Sequence, residues 1–247
     1  YLLRARAGAV FDPMSGQGEE ALMPLVVGPE GVSALTVTTI RTPPIAGTVV
    51  ADSGTPLPNQ GIAVGVREPS SGADFKMTAR RADAPGGGVT FRVPGMLGQL
   101  ALTVDTPRGW MLKQVELDGR DITDRLFELR GSSPDVRVTL TNRLTRVSGT
   151  VRSGGRAASG ATVVLFADDA ARWAYPTRHV TTARADDRGA VTVEGLPPYD
   201  YLAVAVDDLD AGASEDPDFL ESLRERATRF SIDYGETVPL SLDLPAP

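Results

Sequence analysis

The chain has no cysteine and a single histidine, His179, among its 247 residues. The first absence excludes disulfides, thiolate nucleophiles, Cys-based zinc sites and iron–sulfur clusters. The second leaves too few imidazoles for a His-rich zinc centre. A Ser-His-Asp relay would have to use His179, which falls in a strand pattern, and no Gly-x-Ser-x-Gly elbow accompanies it. Catalysis is therefore not expected, nor is a cofactor. No run of 18 apolar residues exists, so no membrane insertion is expected. Tyr1-Leu2-Leu3-Arg4 opens in strand-like sequence, without a signal-peptide pattern. Basic residues are outnumbered, 25 against 32 acidic, for a net charge of −7. Nucleic acid, which needs basic patches, is not an expected partner. Only Lys76 and Lys113 are lysines, a bias that implies nothing about function.

What is abundant is turn chemistry. Glycine and proline supply 45 residues, about 18% of the chain, against a usual ~12%. Many turns imply many short strands. The clearest example is the stretch from Thr182 to Val206. Asp186-Asp187-Arg188-Gly189 reads as a tight turn. Residues 190–194 alternate as a short strand. Gly195-Leu196-Pro197-Pro198 ends it, because proline has no N–H for a ladder. Residues 201–206 are apolar on both faces, as in a central strand.

This stretch, Thr-x-x-x-Asp-x-x-Gly-x-x-x-x-x-Gly-Leu-Pro-Pro-x-x-Tyr, resembles the signature of carboxypeptidase regulatory-like domains. The matching positions are Thr182, Asp186, Gly189, Gly195, Leu196, Pro197, Pro198 and Tyr201. The family usually places Gly after the two prolines, where this chain has Tyr199. The resemblance implies transthyretin-like (prealbumin-like) β-sandwiches, used as tandem non-catalytic modules in secreted and envelope proteins of bacteria.

Internal repetition points the same way. At a constant offset of 102, Gly47 matches Gly149, Val89 matches Val191, Leu100 matches Leu202, Val136 matches Val238 and Leu140 matches Leu242. Two repeats of about 100 residues follow, the usual size of a β-sandwich. Residues 1–42 then read as the C-terminal half of an incomplete repeat. Tyr1-Leu2-Leu3-Arg4-Ala5-Arg6 parallels Tyr201-Leu202-Ala203-Val204-Ala205-Val206, and residues 32–39 parallel the final strands at 136–141 and 238–244. Truncation and completion by strands of another chain both fit this pattern. The expected fold class is all-β, tandem Greek-key sandwiches over 43–144 and 145–247 after the half repeat. One short helix is expected near 217–226, where Asp216 can cap and Pro217 suits the first turn. Further expectations are a third strand over 75–81, a turn at Gly86-Gly87-Gly88, a turn at Asp118-Gly119-Arg120-Asp121, and Trp110 capping the core edge. The short, proline-bearing linkers point to a semi-rigid rod.

Three groups of residues invite chemistry. Asp207, Asp208, Asp210, Glu215, Asp216 and Asp218 place six carboxylates within 12 residues. Such a cluster suits calcium, although the spacing is not that of an EF-hand, and a solvated loop with a helix cap is the plainer reading. Arg172, Trp173, Tyr175 and Arg178 form an aromatic–cationic cluster able to bind a protein partner or stack a sugar; a loop folded back over the sandwich end is the plainer reading here too. A Lys–Asn isopeptide cross-link is not expected, because Lys76 lies on a third strand and residues 145–247 hold neither Lys nor Asn. The function this favours is a non-catalytic structural or interaction module, extracellular or in the cell envelope. It would self-associate or bind a protein, one form of which is a filament subunit completed by strand pairing. The alternative is a carbohydrate- or calcium-binding accessory module of a larger protein or enzyme.

Overall fold

The computed structural model describes residues 1–7, 19–32, 34–70, 72–81, 88–129, 133–174 and 177–244. Gly86, Gly87 and Tyr175 lie outside the described residues. The chain forms two compact units, residues 1–108 with 112–140, and residues 109–111 with 141–247. Both are all-β.

In the first unit, β1 (Leu2–Ala7), β2 (Glu19–Pro24) and β3 (Ile40–Arg41) make one antiparallel sheet in that order. The chain continues through β4 (Ile45–Ala51), β5 (Ala63–Glu68), β6 (Ala73–Thr78), β7 (Arg80–Arg81), β8 (Val89–Val93), β9 (Ala101–Asp105), β10 (Met111–Leu117), β11 (Arg120–Asp121) and β12 (Asp135–Thr141). These strands build two sheets, β11-β10-β12-β4-β8-β7 and β6-β5-β9. Period-2 alternation drives the layering: Val89, Phe91 and Val93 are buried, while Thr90 and Arg92 between them are exposed. The expected strand over 75–81 is broken at Ala79. That residue turns inward and donates its N–H to the Ile62 carbonyl at 2.9 Å. The segment thus serves as an edge of both sheets, through β6 in one and β7 in the other. Asp118 and Gly119 have φ of +49° and +75° between the paired residues Leu117 and Arg120. They form the two-residue hairpin loop that Asp-Gly favours. Trp110 is buried.

The second unit holds β13 (Arg146–Ser153), β14 (Arg156–Ala157), β15 (Thr162–Ala167), β16 (Val180–Arg184), β17 (Ala190–Glu194), β18 (Tyr199–Val206), the helix α1 (Pro217–Leu223), β19 (Thr228–Ile232) and β20 (Thr237–Asp243). Its sheets are β14-β13-β17, with β20 paired to β13, and β16-β15-β18-β19. The wiring repeats that of β12-β4-β8 and β6-β5-β9. β18 lies between β15 and β19, and Tyr201 to Val206 are all buried, as the doubly apolar sequence requires. At the turn before β17, Asp186 Oδ1 accepts from the N–H groups of Arg188 and Ala190, both at 2.8 Å. The Ala190 bond first, and then the Arg188 bond, hold this carboxyl below its ordinary value. Gly189 sits there at φ +73°, and a Cβ on it would lie 2.5 Å from the Val151 carbonyl oxygen. Asp216 Oδ1 caps α1 by accepting from Asp218 N–H at 3.0 Å, and Leu220 and Leu223 are buried. The α-helix stops at Leu223 and tightens into a 3₁₀ turn over Arg224–Arg226.

Residues 32–39, expected as a final strand, form none among the described residues. Their counterparts β12 and β20 are each held by a parallel ladder to the first strand of the same repeat, β4 and β13. No described strand stands in that place for residues 32–39. A strand-like sequence without a ladder partner leaves its backbone to water.

Candidate interaction surface

The N-terminal sheet differs from the others in what it buries. Ala21 is its one buried apolar residue among the described residues of 1–41. Tyr1 (89% exposed) and Val26 (90% exposed) stand in solvent, and Leu2, Leu35 and Ile40 are also exposed. Seven of the nine large apolar side chains exposed among the described residues fall within 1–40. The attachment of this sheet to the rest of its unit is polar. Glu20 is fully buried and accepts from Arg6 Nε at 2.9 Å and from the Leu97 N–H at 3.3 Å. Glu68, also buried, accepts from Arg4 Nη2 at 2.9 Å, and the same nitrogen reaches the Leu97 carbonyl at 3.2 Å. Buried carboxylates held this way are costly to unpair but add little apolar burial. β1 is the edge of its sheet. An edge strand in a sheet that exposes apolar side chains is a template for another strand.

The aromatic–cationic cluster is arranged differently from the sequence expectation. Asp169 accepts from Ala171 N–H at 3.0 Å and caps a 3₁₀ turn over Ala170–Arg172. That turn drives Trp173 inward to 3% exposure. Its Nε1–H donates to the Ala167 carbonyl at 2.7 Å, and its ring meets Phe166 edge-on at 5.5 Å. Arg224 lies 5.2 Å over the Trp173 ring and also pairs with Asp168 at 2.6 Å. Trp173 is thus a core residue and cannot stack on a sugar or a partner. Arg172 is half-buried, 5.3 Å over the Tyr199 ring, and Tyr199 donates to Asp169 at 3.1 Å. Arg178 is half-buried and already engaged. His179 is buried, with Nδ1 3.1 Å from the Tyr201 hydroxyl, which donates to the Pro197 carbonyl at 2.9 Å. The contact pins the Pro-rich turn onto β18, a structural role.

The acidic run does not converge either. Asp207, Asp208, Asp210, Glu215, Asp216 and Asp218 are all exposed. Asp208 accepts from the Leu209 N–H and Asp216 caps α1. Among the described residues no three or more His, Asp or Glu side chains gather as a metal-ligand set. The carboxylates stand exposed on a loop and at the helix cap. An open cleft in the first unit is lined by Leu117, Ile122, Leu126 and Phe127 with Arg120 and Glu128. Its one aromatic ring, Phe127, is buried.

No family model matches the sequence, and no curated protein does. Among solved structures the chain is similar to the minor pilin GBS52 of Streptococcus agalactiae, at 12% identity over 82% of this chain and 97% of that one, with a TM-score of 0.34. It is similar to the shaft pilin SpaA of Lactobacillus rhamnosus GG, at 12% identity over 83% and 98%, with a TM-score of 0.33. It also overlaps the Bacillus anthracis TIE protein at 11% identity and a TM-score of 0.26, covering 92% of this chain but only 40% of that protein. At such identities and scores the likeness is one of β architecture alone.

Proposed function

We propose that this chain is a non-catalytic structural module of a secreted or cell-surface bacterial protein, joined to a neighbouring polypeptide by strand pairing at its N-terminal sheet. In this reading the repeats span 1–42, 43–144 and 145–247, and belong with the carboxypeptidase regulatory-like sandwiches that the Thr182–Tyr201 signature resembles. The observation that carries the proposal is the imbalance in residues 1–41. Among the described residues they bury one apolar side chain and expose seven large ones, in a sheet whose edge strand is β1. Burial of those side chains against a neighbour gains roughly 25 cal/mol per Å² of apolar surface. Electron microscopy of the purified 247-residue chain tests it. Uniform filaments or discrete oligomers are expected. Separate particles one molecule across at every concentration would overturn the proposal.

A further inference from the structure

We infer that residues 34–39 are a β-strand whose parallel partner is not among the described residues, and that this partner is an extended strand of the β4 and β13 type, apolar in alternation around a Gly-Thr-Val centre. The inference rests on the reading above that the N-terminal sheet is where the chain joins a neighbour, and it names the chemistry of what is received there.

Chain order places the segment. β1 and β2 pair antiparallel, as β18 and β19 do. After β19 a turn closed by Glu236 N–H on the Asp233 carbonyl, at 3.0 Å, leads into β20. After β2 a turn closed by Gly31 N–H on the Gly28 carbonyl, also at 3.0 Å, leads into residues 32–39. β20 then pairs parallel with β13 from Arg146↔Thr237 to Arg152↔Asp243, and β12 pairs with β4 from Ala46↔Asp135 to Ala51↔Leu140. In both complete repeats the partner is the first strand, carrying Ala46-Gly47-Thr48-Val49 or Ser148-Gly149-Thr150-Val151.

The segment itself has the pattern of a strand. Leu35, Val37 and Thr39 alternate with Thr36 and Thr38 as Val136, Val138 and Leu140 alternate with Arg137 and Thr139. Four of its six residues are β-branched, which favours a pleated ladder. Yet it forms no strand, Leu35 is exposed, and Ala34 is held at φ +58°, a conformation an L side chain rarely adopts. A parallel ladder along 34–39 removes that strain, satisfies the backbone and covers Leu35. It extends the sequence's own rule, seen twice in this chain, to a segment for which the described residues offer no such partner.

The test is amide hydrogen exchange of the full chain with an excess of a peptide of residues 145–154, Thr-Arg-Val-Ser-Gly-Thr-Val-Arg-Ser-Gly. Exchange at 35–39 is expected to slow saturably, by about tenfold or more. The slowing should vanish with a scrambled peptide, with a peptide carrying Thr150→Pro, and in the chain variant Val37→Pro. That variant should melt at the wild-type temperature, because residue 37 has no ladder to lose. No slowing with the peptide would overturn the inference. So would protection that rises with chain concentration alone and is not displaced by the peptide, since a second copy would then cover the segment through another surface. An inert peptide with a chain that still assembles refutes the strand assignment and leaves the joining role standing. A peptide that binds while the chain stays as single particles supports the strand assignment and removes the joining role.

Discussion

Replacing Trp173 with alanine is expected to lower the stability of the second unit by about 3–5 kcal/mol, the cost of deleting a large buried aromatic. Three contacts are lost together: the edge-on packing on Phe166, the hydrogen bond to the Ala167 carbonyl, and the surface over which Arg224 lies. Arg224 keeps Asp168 and Glu221, so the ion pairs survive and the loss is one of packing. Trp173→Phe keeps part of the ring contact and forfeits the N–H donor. It should cost about 1–3 kcal/mol, the penalty for an unsatisfied buried carbonyl. Denaturant unfolding followed by circular dichroism reads both. An alanine variant as stable as the wild type would make Trp173 a surface contact residue after all.

Gly47→Ala is expected to destabilise the first unit by about 3 kcal/mol, at the upper end of overpacking costs. A Cβ at Gly47 would lie 2.0 Å from the Val136 carbonyl oxygen and 2.9 Å from the Phe91 ring. The oxygen is backbone in the strand paired to β4, so it cannot retreat without opening the parallel ladder. The matching change in the next repeat is milder. At Gly149 the nearest atom is a Val191 methyl at 2.9 Å, with the Leu240 carbonyl oxygen at 3.5 Å. A side-chain rotation can relieve that contact, and Gly149→Ala should cost only about 1 kcal/mol. Hydrogen exchange should localise the larger loss to β4 and β12. Equal, small effects at both glycines would show that β12 does not press on β4 as described.

Much of this architecture is readable from the residues because local chemistry and long-range pairing agree. The Asp186–Gly189 turn, the Asp118-Gly119 hairpin and the Asp216-Pro217 helix start each demand a backbone geometry that few residues supply. The 102-residue offset carries the wiring of one repeat onto the next. The rest depends on partners distant in sequence. An Arg-Trp-x-Tyr loop reads alike whether it projects or folds back, and Phe166 and Arg224 decide the matter from outside the loop. The six carboxylates are close in sequence but splayed between a loop and a cap, and spacing alone does not reveal that. Glu20 and Glu68 look like ordinary surface charges. Their burial comes from Arg6, Arg4 and the Leu97 backbone, the last 77 residues from Glu20. Residues 34–39 have a strand's sequence but form no strand.

Amide exchange of the 247-residue chain, followed from dilute to concentrated solution, tests the central claim most directly. The account predicts that the amides of β1 not bonded to β2 exchange fast when dilute and become protected as the chain assembles, while β13 and β18 stay protected throughout. Assembly that leaves those β1 amides unprotected would contradict it, as would their full protection in the dilute, unassembled chain.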